Sequence, residues 1–220
     1  MKSLLFIITS VIDTPNIPLN YSKIRSVFTR DERFEQTKKT ISSIKEKIPE
    51  AKLMIIECSN YETNKEQLDY LKENTDYFLN LWENEELHKF IFNQSKSLAE
   101  GVMTIELINY IINNNLLFDN YAKISGRYYL NDKFNLNLNN EKPIIATIWF
   151  DNYASLLYKL NYKYLILLKE HLISNINKMI ECYSYELIFK EFFFKYYDDV
   201  DKQPLDGVSG YITVDGKKFN

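Results

Sequence analysis

The feature that most constrains this chain is the alternation of apolar runs with helix-periodic segments along its first 150 residues. The apolar runs fall at residues 3–12, 52–57, 77–81, 121–125 and 143–149. The first two are nearly continuous, which is typical of strands buried on both faces of a sheet. Strands that alternate with helices form mostly parallel sheets covered on both sides. The pattern therefore predicts an α/β fold with a mostly parallel, twisted sheet and helices on both faces.

Helical periodicity separates these runs. Thr29 and Glu32 have the spacing of a capping box, and the helix that they start is expected to end near residue 48, just before a proline. A short polar helix is predicted at residues 66–73. The clearest amphipathic helix is predicted at residues 96–114, where aliphatic side chains recur on one face.

The last third of the chain has a different character. Residues 153–197 carry helical periodicity and many aromatic side chains, and residues 205–219 alternate as a strand or hairpin does, with three glycines for turns. No linker-like segment interrupts the 220 residues. A single domain over residues 1–220 is therefore predicted, with a helical, aromatic-rich C-terminal part.

Charge and cysteine content exclude several classes of function. The net charge is −3, so a general nucleic-acid-binding surface is not expected. No stretch approaches the roughly 20 apolar residues of a transmembrane helix. Cys58 and Cys182 are too few for a disulfide framework and are interpreted as reduced thiols, and no Cys/His cluster has zinc-site spacing. The chain is expected to be cytoplasmic, without a nucleic-acid partner.

Polar residues collect where the predicted strands end and where helix 96–114 begins. In parallel α/β sheets the ligand lies beyond the carboxyl ends of the strands. Helix N-termini, Arg and Lys are suited to phosphate groups, so a nucleoside diphosphate would fit this edge. The candidate ligand-binding residues are Ser10, Arg30, Glu57, Ser59, Ser95, Lys96, Glu100, Ser125, Gly126, Arg127 and Tyr128.

Each of these side chains also has an ordinary structural interpretation. Glu57 can end a buried strand in solvent, Ser95 can cap a helix, and Glu100 can interact with a helix dipole. Lys96 can be a surface charge, Arg127 can form a surface ion pair, and the tyrosines that follow Arg127 can belong to the core. The joint placement of these residues at one edge of the sheet is what favours a binding site.

A set of short segments carries a resemblance to a known family. The segments, in chain order, are Arg25–Arg30, Arg33–Thr37, Ile55–Ser59, Ser95–Gly101 and Lys123–Tyr128. Together they resemble small GT-A-type glycosyltransferases of surface-polysaccharide gene clusters and large viruses. The resemblance implies a Rossmann-type half over residues 1–150 that binds a nucleotide-sugar donor. It also implies an acceptor-side half over residues 151–220 for a glycan or glycolipid.

The chain departs from that family at one motif. GT-A enzymes usually carry Asp-x-Asp after a central strand, where it holds Mn²⁺ or Mg²⁺ against the donor diphosphate. Ser125-Gly126-Arg127 stands at the corresponding place here, and Arg127 is expected to neutralise the diphosphate charge instead. Asp132 is a candidate for a single metal ligand. The one literal Asp-x-Asp, Asp199-Val200-Asp201, predicts an acidic loop, so metal dependence is left open.

Glycosyl transfer with inversion needs a base that takes the proton of the acceptor hydroxyl. In the family that the chain resembles, this base is a carboxylate on the acceptor side of the cleft. Glu186, near the start of an aromatic helix, is the first candidate, and Asp151, just after the fifth strand, is the second. Glu186 can also be a helix-surface carboxylate and Asp151 a turn residue. Trp149 and Tyr153 can stack on a sugar or pack in the core.

Two other functions remain open on the sequence. A nucleotidyl transferase or another nucleotide-binding enzyme could use a similar sheet, although the chain has no Gly-rich loop of Walker type. A non-catalytic interaction domain could use the aromatic stretch 183–197. Its aromatic side chains are expected to exceed what one helix face can bury: Phe189, Phe192, Phe193, Tyr196 and Tyr197. The same stretch would equally serve a homodimer interface.

Overall fold

The structure is a computed structural model that describes residues 2–138, 141–149 and 152–219. Its strands are β1 (Leu4–Thr9), β2 (Lys52–Glu57), β3 (Tyr77–Asn80), β4 (Asn120–Ser125), β5 (Tyr128–Leu130), β6 (Ile144–Trp149), β7 (Asn152–Asn161), β8 (Val200–Pro204), β9 (Val208–Tyr211) and β10 (Lys218–Phe219). Its helices are α1 (Arg30–Lys47), α2 (Lys65–Glu73), α3 (Glu85–Ile91), α4 (Lys96–Asn113), α5 (Tyr162–Ser174), α6 (Ile176–Ile180) and α7 (Tyr185–Lys195). Two short 3-10 turns lie at Leu81–Glu83 and Tyr197–Asp199. None of the described helices is long and apolar enough to span a bilayer.

Seven strands form the main sheet, in the order β3-β2-β1-β4-β7-β6-β8. The pairs β3-β2, β2-β1, β1-β4 and β6-β8 are parallel, whereas β7 runs antiparallel to both β4 and β6. The predicted α/β class with a mostly parallel sheet is confirmed. Because β1 to β4 point the same way, their carboxyl ends meet at one edge of the sheet.

Alternate residues of the parallel strands face two separate cores. Phe6 and Ile8 pack with α1 and α2 on one face, and Leu5 and Ile7 pack with α4, α5 and α7 on the other. All four side chains are buried. The continuous apolar run of β1 thus reflects a strand covered on both sides, and the prediction of helices on both faces is confirmed.

The second sheet is small and joins the chain's tail to the turn after β4. β5 pairs antiparallel with β9, which in turn pairs antiparallel with β10, so the predicted hairpin is present. Gly207 precedes β9 with φ of +75°, a conformation that favours glycine. Gly210 was expected in a turn but lies inside β9. There an added Cβ would come within 2.5 Å of the Arg127 carbonyl oxygen, so the tail packs directly on the segment that carries Arg127.

One helical prediction is wrong. Residues 153–161 belong to the ten-residue strand β7 rather than to an aromatic helix. β7 lies between β4 and β6, and most of its side chains are buried. A strand buried on both faces gives an apolar run that cannot be told from a buried helix by periodicity. The helix begins at Tyr162, where the side chain of Asn161 accepts a hydrogen bond from Tyr164 N at 3.1 Å.

The aromatic helix α7 is more deeply buried than the sequence indicated. Phe189, Phe192 and Phe193 are fully buried, because α7 packs against β7 and also against α4 and α5. More than one face of this helix is therefore covered, which corrects the expectation that these side chains exceed what it can bury. Phe194 and Tyr197 remain half exposed.

The predicted capping box of α1 is present. Thr29 Oγ1 accepts from Glu32 N at 3.3 Å, and Thr29 N donates to Glu32 Oε2 at 2.7 Å. Replacing Thr29 with alanine is expected to lower the free energy of unfolding by about 1 kcal/mol, because loss of the hydroxyl leaves Glu32 N without its capping acceptor. Denaturant unfolding measures this loss. Thr29→Ser keeps the hydroxyl and should remain close to the parent protein; an equal loss in both variants would contradict the explanation.

Candidate active site

A cavity of about 190 Å³ opens at the carboxyl edge of the parallel strands. Its lining comes from the ends of β1 and β4, the first half of α1, the end of α3, the first turns of α4, the loop of residues 13–28 and residues 212–214 of the tail. The predicted residues in the lining are Ser10, Lys96, Glu100, Ser125, Gly126, Arg127 and Tyr128. Arg127 therefore lies at the same edge of the sheet as the start of α4, as predicted from the sequence.

Cations outnumber carboxylates around this cavity by five to one. The cationic side chains in its lining are Arg25, Arg33, Lys96, Lys123 and Arg127, and Glu100 is the only lining carboxylate among the described residues. Burial lowers the pKa of Arg33 to about 9, and the charges of Arg127 and Arg25 act in the same direction. Positive charges held this close favour an anionic ligand. In a chain whose net charge is −3, this is a local and unusual concentration.

Two of the arginines are anchored by backbone carbonyls. Arg33 donates from Nε to the Val11 carbonyl oxygen at 2.7 Å. Arg25 donates from Nε to the Ile17 carbonyl oxygen at 3.0 Å and from Nη2 to that of Asn93. These bonds hold the loop after β1 in place. They also keep both guanidinium groups at the cavity without neutralising them.

Arg127 has an unsatisfied donor. Its Nε is buried and has no hydrogen-bond partner within the described part of the chain, and its Cζ lies 5.5 Å from the ring centre of Tyr128. Among the same residues, no carboxylate forms an ion pair with it. A buried N–H without a partner costs free energy. Among these residues the surface ion pair that the sequence allowed is therefore not found, and no described carboxylate neutralises the guanidinium group.

Lys96 and Glu100 form an ion pair one turn apart on α4, with 3.4 Å between Nζ and Oε1. Glu100 raises the pKa of Lys96. Burial alone would raise the pKa of Glu100, but the charges of Lys96, Lys123 and Arg127 outweigh it and lower that pKa. Protein surrounds the pair, yet 39% of the Lys96 side chain and 28% of the Glu100 side chain remain exposed, because both face the cavity. Both charges are thus present at neutral pH and accessible to a ligand.

Lys123 reaches the cavity from β4. It is 4% exposed, and its Nζ donates to Ser125 Oγ and to the Ser155 carbonyl oxygen, both at 3.2 Å. Burial lowers its pKa to about 8; Glu100 opposes this shift, and Arg127 adds to it. The ammonium group is therefore mostly protonated at neutral pH and loses its proton just above it.

Gly126 lies where the end of β4 packs closely against β1 and α1. Its N–H donates to the Thr9 carbonyl oxygen at 2.8 Å, and its carbonyl oxygen accepts from Thr37 Oγ1 at 3.1 Å. An added Cβ would lie 3.0 Å from Thr37 Oγ1 and 3.3 Å from Ser10 Cβ. Close packing thus favours glycine at this position, and this packing sets Arg127 beside the end of β1.

Glu57 and Ser59 stabilise the loop next to the site. They line neither this cavity nor the two further cavities described below. Glu57 is fully buried, and its Oε1 accepts from Ile12 N at 3.0 Å and from Ser59 Oγ at 2.7 Å. Ser59 Oγ also accepts from Asp13 N at 3.1 Å. Burial raises the pKa of Glu57, and these hydrogen bonds oppose the shift. The pair ties the loop after β1 to the end of β2, so Glu57 does not end its strand in solvent.

Arg30 and Asp132 lie away from the cavity. Arg30 donates to Asp31 Oδ1 at 3.1 Å and to the Thr63 carbonyl oxygen at 3.2 Å, and its side chain is 41% exposed. Asp132 pairs with Lys47 Nζ at 2.7 Å and is almost fully exposed. Arg33, one helical turn beyond Arg30, takes the buried position instead. Neither predicted residue contributes to the lining.

Two further cavities adjoin the first. Lys96 and Glu100 line all three, and the third, of about 460 Å³, also shares Ser125, Arg127 and Tyr128 with the first. Glu186 lines the second and the third. Its Oε1 accepts from Ser155 Oγ at 3.3 Å and its Oε2 from Ser184 Oγ at 2.8 Å. The first predicted base therefore faces the same continuous cleft as the cation cluster.

Several residues near these cavities have structural roles. Ser95 borders the second cavity but is buried; its Oγ caps α4 by accepting from Leu98 N at 3.2 Å and donates to the Met179 carbonyl oxygen at 2.6 Å. Tyr153 packs its ring 4.9 Å from that of Phe193 and belongs to the core. Trp149 lines the third cavity and is 42% exposed. Asp151, the second predicted base, lies outside the described residues.

The carboxylates present do not match a two-aspartate metal site. Among the described residues, Glu100 and Glu186 are the only carboxylates that line the three cavities, and no group of three His, Cys, Asp or Glu could hold a metal ion. Asp199 accepts a hydrogen bond from Tyr164 Oη, and Asp201 lies in β8 at the outer edge of the sheet. The literal Asp-x-Asp is thus partly a strand rather than a loop and lies away from the cleft.

Fold and site together define an α/β protein with a cleft lined by cationic side chains at the carboxyl edge of its sheet. No protein-family model and no curated protein matches the sequence. The structure does match the crystal structure of the apo-form glycosyltransferase GlyE of Streptococcus pneumoniae TIGR4, with a TM-score of 0.52 and 12% sequence identity. The match covers 92% of this chain and 45% of the other. The two proteins share a fold, and this chain spans less than half of the GlyE chain.

Proposed function

We propose that this chain is a GT-A-type glycosyltransferase that moves a sugar from a nucleoside-diphosphate donor to a glycan or glycolipid acceptor. The observation that carries the proposal is the cavity in which five cations meet one carboxylate. A donor diphosphate supplies the missing negative charge. The fold shared with a glycosyltransferase supports the same assignment. Residues 1–150 would hold the donor and residues 151–220 the acceptor.

Arg127 and Lys96 are the proposed stabilisers of the leaving group. Negative charge builds on the diphosphate as its bond to the anomeric carbon breaks, and fixed cations in a partly buried cleft stabilise that charge. The guanidinium group of Arg127 would bind the phosphate without competition from a described carboxylate, and Lys96 can share its charge between Glu100 and the phosphate. The N-terminus of α4 adds partial positive charge at the same place.

Glu186 is the proposed base. It borders the cavity that also contains Arg127, and the hydroxyls of Ser155 and Ser184 each donate to one of its oxygens. From there it would take the proton of the acceptor hydroxyl while that oxygen attacks the anomeric carbon. Asp151 remains the second candidate for this role.

The reaction is proposed to proceed without a divalent metal. In this account the guanidinium group of Arg127 occupies the position where related enzymes place Asp-x-Asp and its ion. The described carboxylates around the cleft support this view, because they do not form a metal-ligand cluster. Activity should therefore persist in a chelator and should change little when Mn²⁺ or Mg²⁺ is added.

Turnover of a panel of nucleotide sugars tests the proposal. The protein is incubated with UDP-, GDP- and dTDP-sugars, with EDTA or with Mn²⁺, and the released nucleoside diphosphate is measured with and without glycan and glycolipid acceptors. Release from one donor in EDTA, increased by an acceptor, is the expected result. Absence of release from every donor would contradict the proposal. Pyrophosphate release from a nucleoside triphosphate would instead identify a nucleotidyl transferase.

Donor affinity is expected to weaken as the pH rises above 8. Lys123 has a pKa of about 8 without ligand. A bound diphosphate favours the charged form of Lys123. The attraction between this ammonium group and the diphosphate is therefore complete below that pKa and is lost progressively as the pH rises above it. The dissociation constant should be about tenfold higher at pH 9 than at pH 7, because one pKa unit corresponds to a factor of ten. Calorimetry at both pH values measures the change.

The variant Lys123→Arg is the control for this pH dependence, because its guanidinium group stays charged throughout the range. Its donor affinity should be nearly constant between pH 7 and pH 9. An equal decline in both proteins would assign the pH dependence to another group.

A further inference from the structure

Glu186 is connected to the donor side of the cleft by a short chain of hydrogen bonds. Ser155 Oγ donates to Glu186 Oε1 at 3.3 Å. The carbonyl oxygen of the same serine accepts from Lys123 Nζ at 3.2 Å. Lys123 Nζ also donates to Ser125 Oγ at 3.2 Å, and Ser125 lines the cavity that contains Arg127. One ammonium group thus contacts both strands that border the cleft, β4 and β7.

Two of the residues in this chain of hydrogen bonds are buried, which fixes their positions. Ser155 is 7% exposed and Lys123 is 4% exposed, whereas Glu186 is exposed at the cleft. A buried lysine ammonium group held by two oxygen acceptors has little freedom to move. The backbone of β7 at residue 155 is therefore fixed relative to β4. The exposed carboxylate of Glu186 takes its position from the hydroxyl of Ser155 on this fixed strand.

We infer that Ser155, held in place by Lys123, is a positioning residue for the proton transfer to Glu186. The inference rests on the proposed function, since it assumes that Glu186 is the base. Ser155 exchanges no proton with substrate in this account. Its hydroxyl donates to one oxygen of Glu186, and that oxygen keeps a second lone pair for the acceptor proton. Orientation of the carboxylate, rather than its charge, is what Ser155 supplies.

Loss of this hydroxyl should reduce transfer without affecting donor binding. In Ser155→Ala, kcat for transfer should fall about 10- to 100-fold, because small misplacements of a catalytic group cost this much. The dissociation constant of the donor should stay within about twofold, since Ser155 contacts no cation of the donor cavity through its side chain. Donor hydrolysis by water, which needs less exact orientation, should fall less than transfer does.

Two variants separate positioning from stability. Ser155→Thr keeps a hydroxyl and should restore most of kcat. Thr147→Val removes another buried hydroxyl of the same sheet, one that donates to the Leu157 carbonyl oxygen, and should leave kcat and the ratio of transfer to hydrolysis unchanged. Unchanged kcat in Ser155→Ala, or an equal loss in Thr147→Val, would overturn the inference.

A double-mutant cycle tests the role of Lys123. If Lys123 acts on Glu186 through Ser155, the variant Lys123→Met combined with Ser155→Ala should have a kcat, at saturating donor, close to that of Lys123→Met alone. Losses that multiply would overturn this part of the inference. Full transfer activity in Glu186→Gln would instead contradict the proposed function, because Glu186 would then not be the base. Full activity in Ser155→Ala, together with a large loss in Glu186→Gln, would contradict only the positioning role of Ser155.

Discussion

Replacing Arg127 with alanine is expected to reduce kcat/KM for the nucleotide-sugar donor by about 10²–10³-fold, the loss typical of removing one group that stabilises developing charge. The guanidinium group lies in the cation cluster and has a buried donor without a partner, so it contributes little to the folded protein without ligand. Steady-state kinetics with varied donor measure the loss. Unfolding by denaturant should show that the free energy of unfolding is unchanged or higher.

Arg30→Ala is the matched control for this prediction. Arg30 is also an arginine close to the loop after β1, but its side chain is partly exposed and lies outside the cavities. Its removal should change kcat/KM by less than about twofold, as for surface charges with little net contribution. Equal effects of the two substitutions, or full activity in Arg127→Ala, would show that the cation cluster does not hold the donor.

Glu186→Gln should lower kcat for transfer by about 10²–10⁴-fold, the range for removing a general base. The amide occupies the same space and can still accept one of the two serine hydrogen bonds, so folding and donor binding should be preserved. The expected result is a large loss of kcat with a donor dissociation constant that stays near that of the parent protein. Calorimetry and single-turnover transfer measure the two quantities separately.

The control for this substitution is Glu191→Gln on the same helix. Glu191 pairs with Lys178 Nζ at 2.9 Å and lines none of the three cavities. Its neutralisation should leave transfer intact. If Glu186→Gln is equally harmless, Asp151→Asn becomes the next substitution to test, because Asp151 is the other carboxylate that the sequence places on the acceptor side.

The fold was largely predictable from the sequence because its strongest signals are local. The capping box of Thr29 and Glu32 marked the start of α1, and the apolar periodicity of residues 96–114 marked α4 closely. β7 was missed because a strand between two other strands has no polar face and therefore no alternation. The burial of Phe189 and its neighbours depends on α4, α5 and β7, which lie far away in the sequence.

The site was predictable in its location and less so in its members. Lys96, Glu100 and Arg127 follow strand ends or begin a helix, so topology alone brings them together. Glu57 and Ser59 follow a strand end as well, yet their hydrogen bonds turn them toward the loop after β1. Nothing local distinguishes a carboxylate that binds a ligand from one that binds backbone amides.

Three cationic residues of the cavity were not predicted as binding residues: Arg25, Arg33 and Lys123. Lys123 gave the best available signal, since a lysine inside a short apolar strand is rarely buried without a partner or a function. Arg33 is the more difficult case. Arg30 and Arg33 are one helical turn apart on α1, and only a contact distant in sequence, from Arg33 Nε to the Val11 carbonyl oxygen, distinguishes the buried one.

A crystal structure with a nucleoside diphosphate, obtained in a chelating buffer, tests the central claim most directly. UDP, GDP and dTDP can each be soaked in turn. Phosphate oxygens are expected within hydrogen-bonding distance of Arg127 and Lys96, at the start of α4, with the nucleoside in the cavity beside the loop of residues 13–28. Phosphates bound at another surface, or no binding of any of the three at millimolar concentration, would contradict it.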